Sequence, residues 1–328
     1  MNIQTLAIVM RERGGPEVLR AERVEVPAPG PTQVRIRQTY IGVNYHDVYV
    51  RSGLYSTMQL PGTPGIDAAG VVESVGSSVE GLSVGDRVAY VTPRYGAYAE
   101  VRVLEASDAI RIPEWLGDRE AVAGLLRGLT VAMLVLKCYA VRQGTVCLVH
   151  AAAGGVGSLL VQWAKHLGAT VIGTVGSEAK AEIAKRSGCD TVIYYRRESV
   201  LERVRELTSG RGVDVAYDAV GKDTFAASLA CLATRGHLVC YGQSSGPVGP
   251  FAVSDLAGRS LTVSRPVLFH YISDLSERRE LVDRVFGALQ RGVMAPGETT
   301  VLPLGDAAEA HRLLEGRGAA GSLLLRAG

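Results

Sequence analysis

The pattern of apolar positions is clearest in the middle of the chain, where a strand pattern, a Gly-rich turn and a helix pattern follow one another. Positions 145–149 (TVCLV) form an apolar, β-branched run that is typical of a buried parallel strand. The turn covers 150–157 (HAAAGGVG), and a second β-branched run covers 169–175. Between them, apolar residues recur at helical spacing, at Leu159, Leu160, Trp163, Ala164 and Leu167. This order predicts a βαβ unit whose turn can hold a dinucleotide pyrophosphate at a helix N-terminus.

The glycines of this turn follow the usual G-x-G-x-x-G pattern with one change, because Ala152 stands at its first position. Gly154 lets the backbone approach the phosphates, and Gly157 lets the helix pack closely on the strand. Such a motif is informative only between a strand and a helix, and both flanks are present here. We therefore interpret it as a dinucleotide-binding turn and not as a purely structural one.

The end of the second strand indicates which dinucleotide is bound. NAD sites usually carry a carboxylate there, roughly 20 residues beyond the turn, to receive the ribose hydroxyls. In this chain the strand ends at 174–177 (TVGS) without Asp or Glu, and Glu178 comes one turn too late. Lys180 follows closely and can pair with a 2′-phosphate, although it can also be an ordinary solvated helix residue. The pattern favours NADPH.

Three segments with different periodicity predict the domain organisation. Short runs between Gly and Pro residues, such as 33–38 and 70–76, predict a mostly antiparallel or barrel-like β domain over 1–125. A strand and helix rhythm over 126–265 predicts a doubly wound parallel sheet. The expected strands of this sheet are 146–150, 171–175, 191–194, 213–218 and 237–241. An amphipathic helix near 281–289 and two short runs follow, and we expect 266–328 to complete the first domain in an α/β fold.

Composition excludes several functional classes. The 328 residues, with 39 glycines and 47% hydrophobic residues, suit a compact two-domain α/β protein. A formal charge of +2 without a long basic run gives no basis for nucleic-acid binding. The five cysteines occur singly, as expected for reduced thiols in the cytoplasm. We identify neither a signal peptide nor a continuous apolar stretch of about 20 residues, and we expect a cytoplasmic protein without a membrane role.

Several motifs along the whole chain resemble those of the zinc-free, zeta-crystallin-like quinone oxidoreductases of the medium-chain dehydrogenase/reductase superfamily. They occur in the same order, at 14–19 (GGPEVL), 42–44 (GVN), 49–55 (YVRSGLY), 85–88 (GDRV), 128–130 (GLT), the glycine turn and 242–246 (GQSSG). The resemblance implies a GroES-like β-rich catalytic domain over 1–125 and 266–328. It also implies a Rossmann dinucleotide-binding domain over 126–265.

The resemblance also implies that catalysis proceeds without metal. Alcohol dehydrogenases of the same superfamily hold a catalytic zinc with an early Cys and with the His of a G-H-E-x-x-G motif. The matching segment here is 65–70 (GIDAAG), so that Ile66 replaces the histidine, and Asn44 stands at the cysteine position. Neither side chain is a normal zinc ligand, and the closely spaced four-cysteine lobe of the structural zinc is missing. The six histidines show no ligand spacing, so we expect them to be structural or surface residues.

A site without metal suits a quinone, because reduction produces an aromatic hydroquinone whose anion needs little acid catalysis. The resemblance implies catalytic-site roles for Asn44, Tyr49, Arg51 and Tyr55. Asn44 and Tyr49 would lie near the nicotinamide, while Tyr49, Arg51 and Tyr55 would face the substrate cleft. The simpler alternative is that the two tyrosines pack a loop of the β domain.

The resemblance further implies a set of cofactor contacts. The pyrophosphate would lie on the glycine turn, the 2′-phosphate near Gly176, Lys180 and Tyr195, and the nicotinamide half against 242–244. Many relatives carry Asn where Gln243 stands. The complete implied set is Asn44, Tyr49, Thr130, Ala153, Gly154, Gly155, Val156, Gly176, Lys180, Tyr195, Gly242, Gln243, Ser244, Arg265 and Ser322.

Two alternatives to an NADPH-dependent quinone reductase stay open. Enone and enoyl-thioester reductases that use NADPH share the fold and the zinc-free site. Some zeta-crystallin relatives are abundant structural proteins or bind RNA, although the lack of a basic patch argues against RNA here. The family also implies a homodimer, which could form through the edge strand near 261–263.

Overall fold

The computed structural model describes residues 1–316 and 321–328, and these form two compact units. The first unit contains Met1–Leu126 and Pro296–Gly328, and the second contains Arg127–Ala295. The first boundary lies within one residue of the expected position. The second lies at 295/296 and not at 265/266, so that 266–295 belongs to the second unit.

The chain up to residue 132 forms seven strands and two α-helices. The strands are β1 (Ile3–Val9), β2 (Arg20–Val26), β3 (Gln33–Val43), β4 (Asp67–Val75), β5 (Arg87–Val91), β6 (Val101–Glu105) and β7 (Ile110–Arg111). The helices are α1 (Tyr45–Ser52) and α2 (Asp118–Ala132), and α2 continues as a π-helical turn over Met133–Cys138. The boundary between the two units falls within α2.

Strands and helices then alternate through the second unit, as the apolar pattern predicts. The strands are β8 (Val146–Val149), β9 (Thr170–Val175), β10 (Thr191–Tyr194), β11 (Val213–Asp218), β12 (Leu232–Cys240) and β13 (Thr262–Ser264). The helices are α3 (Gly155–His166), α4 (Glu178–Arg186), α5 (Val200–Leu207), α6 (Phe225–Cys231), α7 (Leu268–Tyr271) and α8 (Leu275–Gln290).

The six strands of the second unit form one parallel sheet in the order β10-β9-β8-β11-β12-β13. This is the doubly wound strand order of a Rossmann fold, with its switch point between β8 and β11. Large aliphatic side chains such as Leu148, Ile172 and Leu238 fill its core and are almost fully buried. The switch point places the loops after β8 and β11 beside one crevice, which is where such sheets bind ligands.

The last segment returns to the first unit with β14 (Thr299–Pro303), α9 (Ala307–Glu315) and β15 (Ser322–Arg326). There β14 and β15 extend a seven-stranded sheet in the order β14-β15-β3-β4-β5-β7, while β6 pairs with β3. The pairs β15·β3, β3·β4, β4·β5 and β5·β7 are antiparallel. This agrees with the predicted β domain.

Helix α8 explains the shifted boundary. Its first turns form ion pairs with Lys137, from Glu277 at 3.3 Å and from Glu280 at 3.4 Å. Beyond its end, the backbone N–H of Ala295 donates to Oε1 of Gln162 on α3 at 2.7 Å. The amphipathic pattern predicts the helix correctly, but the same apolar face could have packed on either unit.

One described helical stretch, Asp118–Cys138, is long and apolar enough to cross a membrane by length and composition, with a mean hydropathy of 1.8. This differs from our expectation that no stretch would pass such a test. In its most apolar part 78% of the stretch is buried inside the protein, and core helices of soluble proteins pass the same test.

Candidate active site

The glycine turn brings the backbone of α3 against the end of β8. Gly154 precedes the helix as its N-cap, and Ala151 adopts a positive φ of 51°. A Cβ atom on Gly157 would lie 2.2 Å from the carbonyl oxygen of Ala151, so that no larger residue fits there. The first N–H groups of α3, at Gly155 and Val156, have no acceptor within the helix, as at any helix N-terminus, and an anion can bind there.

The end of β9 is closely packed against a tyrosine. A Cβ atom on Gly176 would lie 2.6 Å from the hydroxyl oxygen of Tyr195, so the tyrosine ring packs directly on the glycine backbone. Lys180 is half-buried in the first turn of α4, where its N–H donates to Oγ of Ser177. Three residues of the predicted 2′-phosphate site, Gly176, Lys180 and Tyr195, thus come from one strand end and its two flanking segments.

Glu178, the acidic residue nearest to this strand end, is held by two neighbours. Its carboxylate accepts a hydrogen bond from Oη of Tyr194 at 2.6 Å and one from Nη1 of Arg197 at 2.9 Å. These donors lower the pKa of Glu178, with the tyrosine hydrogen bond as the largest cause. The carboxylate is therefore directed towards β10 and the segment after it.

The other predicted cofactor residues are distributed over both units. Gly242, Gln243 and Ser244 follow β12, and the N–H of Ser244 donates to the carbonyl of Ala219 at 3.2 Å. Nη1 of Arg265 donates to the carbonyl of Cys240 at 3.0 Å. Two more residues complete the set: Thr130 lies on α2 in the second unit, and Ser322 is buried at the start of β15 in the first.

In the first unit, Asn44 caps the N-terminus of α1 and is fixed by two carboxyl groups. Its backbone N–H donates to Oδ2 of Asp47 at 2.9 Å, and its side-chain Nδ2 donates to Oδ1 of Asp67 at 2.7 Å. Both aspartates are almost completely buried. The Asn44 amide is therefore held in one orientation, with its nitrogen towards Asp67.

Asp47 is a buried acid that holds its proton in neutral solution. Desolvation raises its pKa to about 8, and the charge of Asp67 adds to the shift. Its Oδ2 also accepts a hydrogen bond from the hydroxyl of Tyr98 at 3.2 Å. The same hydroxyl lies 3.0 Å from Nε2 of His311 on α9. The acid thus belongs to a polar network inside the first unit.

Arg51 belongs to this network, which corrects the expectation that it faces the substrate. Its guanidinium is almost fully buried and forms a bidentate pair with Glu315, with both distances 2.9 Å. It also donates to the carbonyl of Gly14 at 3.1 Å and approaches Nδ1 of His311 at 3.3 Å. Its donors are engaged by α9 and the N-terminal segment, so we assign Arg51 a structural role.

Tyr49 and Tyr55 belong to an aromatic cluster, which we define as His46, Tyr49, Tyr55 and Tyr95. The ring of Tyr55 packs edge-on against Tyr49 at a centroid distance of 5.1 Å and against His46 at 5.5 Å. Nε2 of His46 lies 3.1 Å from Oη of Tyr95. Burial lowers the pKa of His46 to about 4, so the imidazole is neutral. The cluster offers flat apolar faces together with hydroxyl groups.

Comparisons with known proteins agree with this architecture. Residues 30–114 match the model of the alcohol dehydrogenase GroES-like domain, and residues 155–285 match that of the zinc-binding dehydrogenases. The chain is 44% identical to the 2-haloacrylate reductase of Burkholderia sp over 98% of both chains. It is also 44% identical to a quinone oxidoreductase of Salmonella typhimurium, over 97% of this chain and 98% of that protein.

The fold comparison agrees with the sequence comparison. The structure of Escherichia coli quinone oxidoreductase complexed with NADPH matches with a TM-score of 0.95 and 41% identity, over 98% of this chain and 99% of that one. The chain belongs to the quinone oxidoreductase group of the medium-chain dehydrogenase/reductase superfamily. Its first unit is accordingly the GroES-like domain, its second unit is the Rossmann domain, and the protein is an oxidoreductase.

Zinc-dependent members of this superfamily raise the question of a metal, and the donor set here does not fit one. Ile66 carries no donor atom and is 2% exposed, while the Asn44 amide already donates to Asp67. Within residues 1–316 and 321–328, no group of three or more His, Cys, Asp or Glu side chains could hold a metal ion. The side chains at these two positions therefore do not provide a catalytic zinc site.

Sequence reasoning missed several polar residues that the structure brings together. Asp47 lies three residues after Asn44, which is capping-box spacing and could have indicated its contact with the Asn44 N–H. Nothing in the pattern indicates that Asp67 and Tyr98 approach the same helix. His46, which we expected to be a structural or surface residue, lies in the aromatic cluster.

The protonated Asp47 leads to a prediction on stability. Its pKa rises from 3.8 in the unfolded chain to about 8 in the folded protein, so the folded state retains a proton that the unfolded state loses over this range. Stability should therefore decrease as the pH rises from about 4 to about 8, by up to roughly 1.4 kcal/mol per pH unit. Asp47→Asn cannot ionise, so its thermal midpoint should rise relative to wild type between pH 5 and 8. Parallel curves would contradict the assignment, and the exposed Asp255→Asn is the control.

Proposed function

We propose that this protein is an NADPH-dependent quinone reductase that works without a metal ion. The observation that carries the proposal is that α1 contains two residues of the aromatic cluster and begins at Asn44, whose amide is bonded to Asp67 and is not a normal zinc ligand. The second unit of the same chain has the turn of a dinucleotide site. When bound, NADPH supplies the reducing equivalents. The residues of the protein bind and orient the cofactor and the quinone, and they exclude water from the site.

Three features of the second unit support NADPH. The first N–H groups of α3, at 155–156, can receive the pyrophosphate. Lys180, half-buried in the first turn of α4, can pair with the 2′-phosphate. Glu178, which could otherwise repel that phosphate, is paired with Arg197. The remaining predicted contacts, at 242–244, Thr130, Arg265 and Ser322, stay part of the proposal.

The first unit supports a flat acceptor that needs little acid catalysis. Tyr55 is half-buried and packs edge-on against the buried Tyr49, so its ring is the aromatic surface against which a quinone can pack in offset-stacked or edge-on geometry. The Asn44 amide is fixed by Asp67 through Nδ2 and by the capping box at the start of α1, so it keeps one orientation. Reduction of a quinone consumes two electrons and two protons. Both electrons and one proton would come from NADPH as a hydride equivalent, and the stable hydroquinone anion can take the second proton from water. We therefore propose Asn44, Tyr49 and Tyr55 as residues of the substrate site, and Arg51 is not one of them.

A second candidate function rests on one specific observation. The 2-haloacrylate reductase is as similar to this chain as the quinone oxidoreductase of Salmonella typhimurium, at 44% identity each. Reduction of such a carbon–carbon double bond leaves an enolate, which benefits from a positioned acid. Tyr55, with its hydroxyl in the aromatic cluster, is the side chain we would assign to that role.

We further propose a cytoplasmic homodimer with a small-molecule quinone as its substrate and without nucleic-acid or membrane partners. Strand β13 is the last strand of the parallel sheet, and no other strand of the described chain pairs with its outer edge. An unpaired strand edge is a ready template for a second chain. Dimerisation through Thr262–Ser264 would cover it.

The first functional prediction concerns the cofactor. Wild-type protein should bind NADPH more tightly than NADH, and Lys180→Ala should remove about 10- to 100-fold of that preference, as a lost charge-assisted hydrogen bond implies. The measurement is the Kd of each dinucleotide by fluorescence titration. Lys185→Ala, which breaks a surface ion pair on the same helix, should leave the preference unchanged. Equal binding of both dinucleotides by wild type would show the assignment to be wrong.

The second functional prediction concerns the metal. Exhaustive dialysis against EDTA should leave the rate of quinone reduction unchanged, and elemental analysis should find only substoichiometric zinc. The physical reason is the donor set, in which Ile66 replaces a ligand and Asn44 is already bonded to Asp67. Activity that disappears with EDTA and returns with zinc would contradict it.

The third functional prediction separates the two substrate classes. Tyr55→Phe should change kcat for 1,4-benzoquinone by less than about tenfold, below the contribution of about 10² to 10⁴ that general acid catalysis commonly makes. With a 2-haloacrylate the same variant should lose activity within that larger range if Tyr55 is the acid. Tyr40→Phe on β3 is the control. A loss of about a thousandfold with benzoquinone, at unchanged NADPH affinity, would favour an acid-dependent reductase.

A further inference from the structure

A buried polar network occupies the switch point of the Rossmann sheet. His150 follows β8, and its backbone N–H donates to the carbonyl of Tyr217 on β11 at 3.0 Å, so the two strands stay paired up to their ends. Asp218 ends β11 and is completely buried. The carboxyl ends of these two strands border the crevice where doubly wound sheets bind their ligands.

Two hydroxyl groups contact the Asp218 carboxylate directly, and one of them links it to His150. Oγ of Ser228 on α6 donates to Oδ2 of Asp218 at 2.8 Å, and Nε2 of His150 lies 2.9 Å from the same Oγ. Nδ1 of His150 lies 3.0 Å from Oγ1 of Thr174 on β9. Thr224, just before α6, shares its hydroxyl proton between both carboxylate oxygens, at 2.8 and 2.7 Å.

The proton positions in this network follow from its donors. A serine hydroxyl has one proton, and that of Ser228 is given to Asp218, so its oxygen accepts from Nε2–H of His150. Nδ1 of His150 then accepts from the hydroxyl of Thr174. Burial lowers the pKa of His150, which keeps the imidazole neutral. Each hydrogen bond from Thr174 through His150 and Ser228 to Asp218 therefore has a defined donor and acceptor.

The network also fixes two loops. Oδ1 of Asp218 accepts from the N–H groups of Val220 at 2.8 Å and Gly221 at 3.0 Å, which closes the turn after β11. The carbonyl of Asp218 accepts from the N–H of Gly242 at 3.3 Å, and that of Val220 accepts from Ser245 at 2.9 Å. The loop after β12 is thus attached to the turn after β11. On the opposite side, the N–H of Ala152 donates to the carbonyl of Thr174 at 3.2 Å.

We propose that His150, Ser228, Asp218 and Thr224 are positioning residues that hold the loop 242–246 in register with the glycine turn, so that one dinucleotide can contact both. Doubly wound sheets bind a dinucleotide across the switch point, with its two halves on opposite sides. The turn and the end of β9 would serve the adenosine half, and the loop 242–246 would serve the nicotinamide half. The inference rests on the proposed binding of NADPH.

The experiment compares a whole cofactor with its adenosine half. Thr224→Val removes the hydroxyl at nearly constant volume, and Thr224→Ser keeps it as the matched control. We expect Thr224→Val to raise the Kd of NADPH about tenfold, which is roughly 1.4 kcal/mol, and to lower kcat, while the Kd of 2′,5′-ADP stays within about twofold. Thr224→Ser should resemble wild type with both ligands.

Ser228→Ala is the second variant, because it breaks the link to His150 by removing a single oxygen. It should show the same split between the two ligands. Thermal unfolding identifies any variant that fails to fold. Suppose that wild type binds both 2′,5′-ADP and NADPH. If both variants then raise the Kd of the two ligands by the same factor, or change neither Kd, the positioning role is overturned. If wild type does not bind NADPH, the proposed function fails instead.

Discussion

The contact between Gly157 and the carbonyl oxygen of Ala151 is the constraint on which the second unit depends. At 2.2 Å a Cβ atom would overlap that oxygen, so only glycine lets α3 start so close to the end of β8. The position of the helix determines where its first N–H groups point, and thereby where a pyrophosphate can bind. The switch-point network begins at the first residue of this turn, His150, and connects the turn to the loop after β12.

In the first unit, buried carboxyl groups fix the geometry of the candidate site. The role proposed for Asn44 requires one orientation of its amide, and Asp67 fixes that orientation through Nδ2. Asp47, held by Tyr98 and the Asn44 N–H, stays protonated and so avoids a second buried negative charge beside Asp67. Arg51 contributes to this network from the opposite side of α1, through His311, and not through contact with a substrate.

Much of the fold could be predicted from the sequence, because β-branched runs and helical spacing record burial directly. β12 is an informative exception: it begins at Leu232 and not near 237, since a register irregularity and the positive φ of Arg235 accommodate polar residues that hide the strand pattern. The site could be predicted only in part. Arg51 stands two positions after Tyr49, which on a helix means nearly opposite faces. The pairing of Asp67 with Asn44, across 23 residues of chain, leaves no local signal.

The distribution of buried polar side chains separates stability from function in this protein. The sheet core of the second unit is filled by residues such as Leu148, Ile172 and Leu238, which stabilise the fold by burial and need no hydrogen-bond partner. An unsatisfied buried polar group costs about 1 to 3 kcal/mol of stability. A network such as that of His150, Ser228 and Asp218 destabilises the fold whenever one hydrogen bond is lost, and an apolar core avoids that cost. Such a network is retained where loop geometry matters more than stability. Its position at the strand ends, and not within the sheet, is therefore the physical argument that it serves the ligand and not the fold.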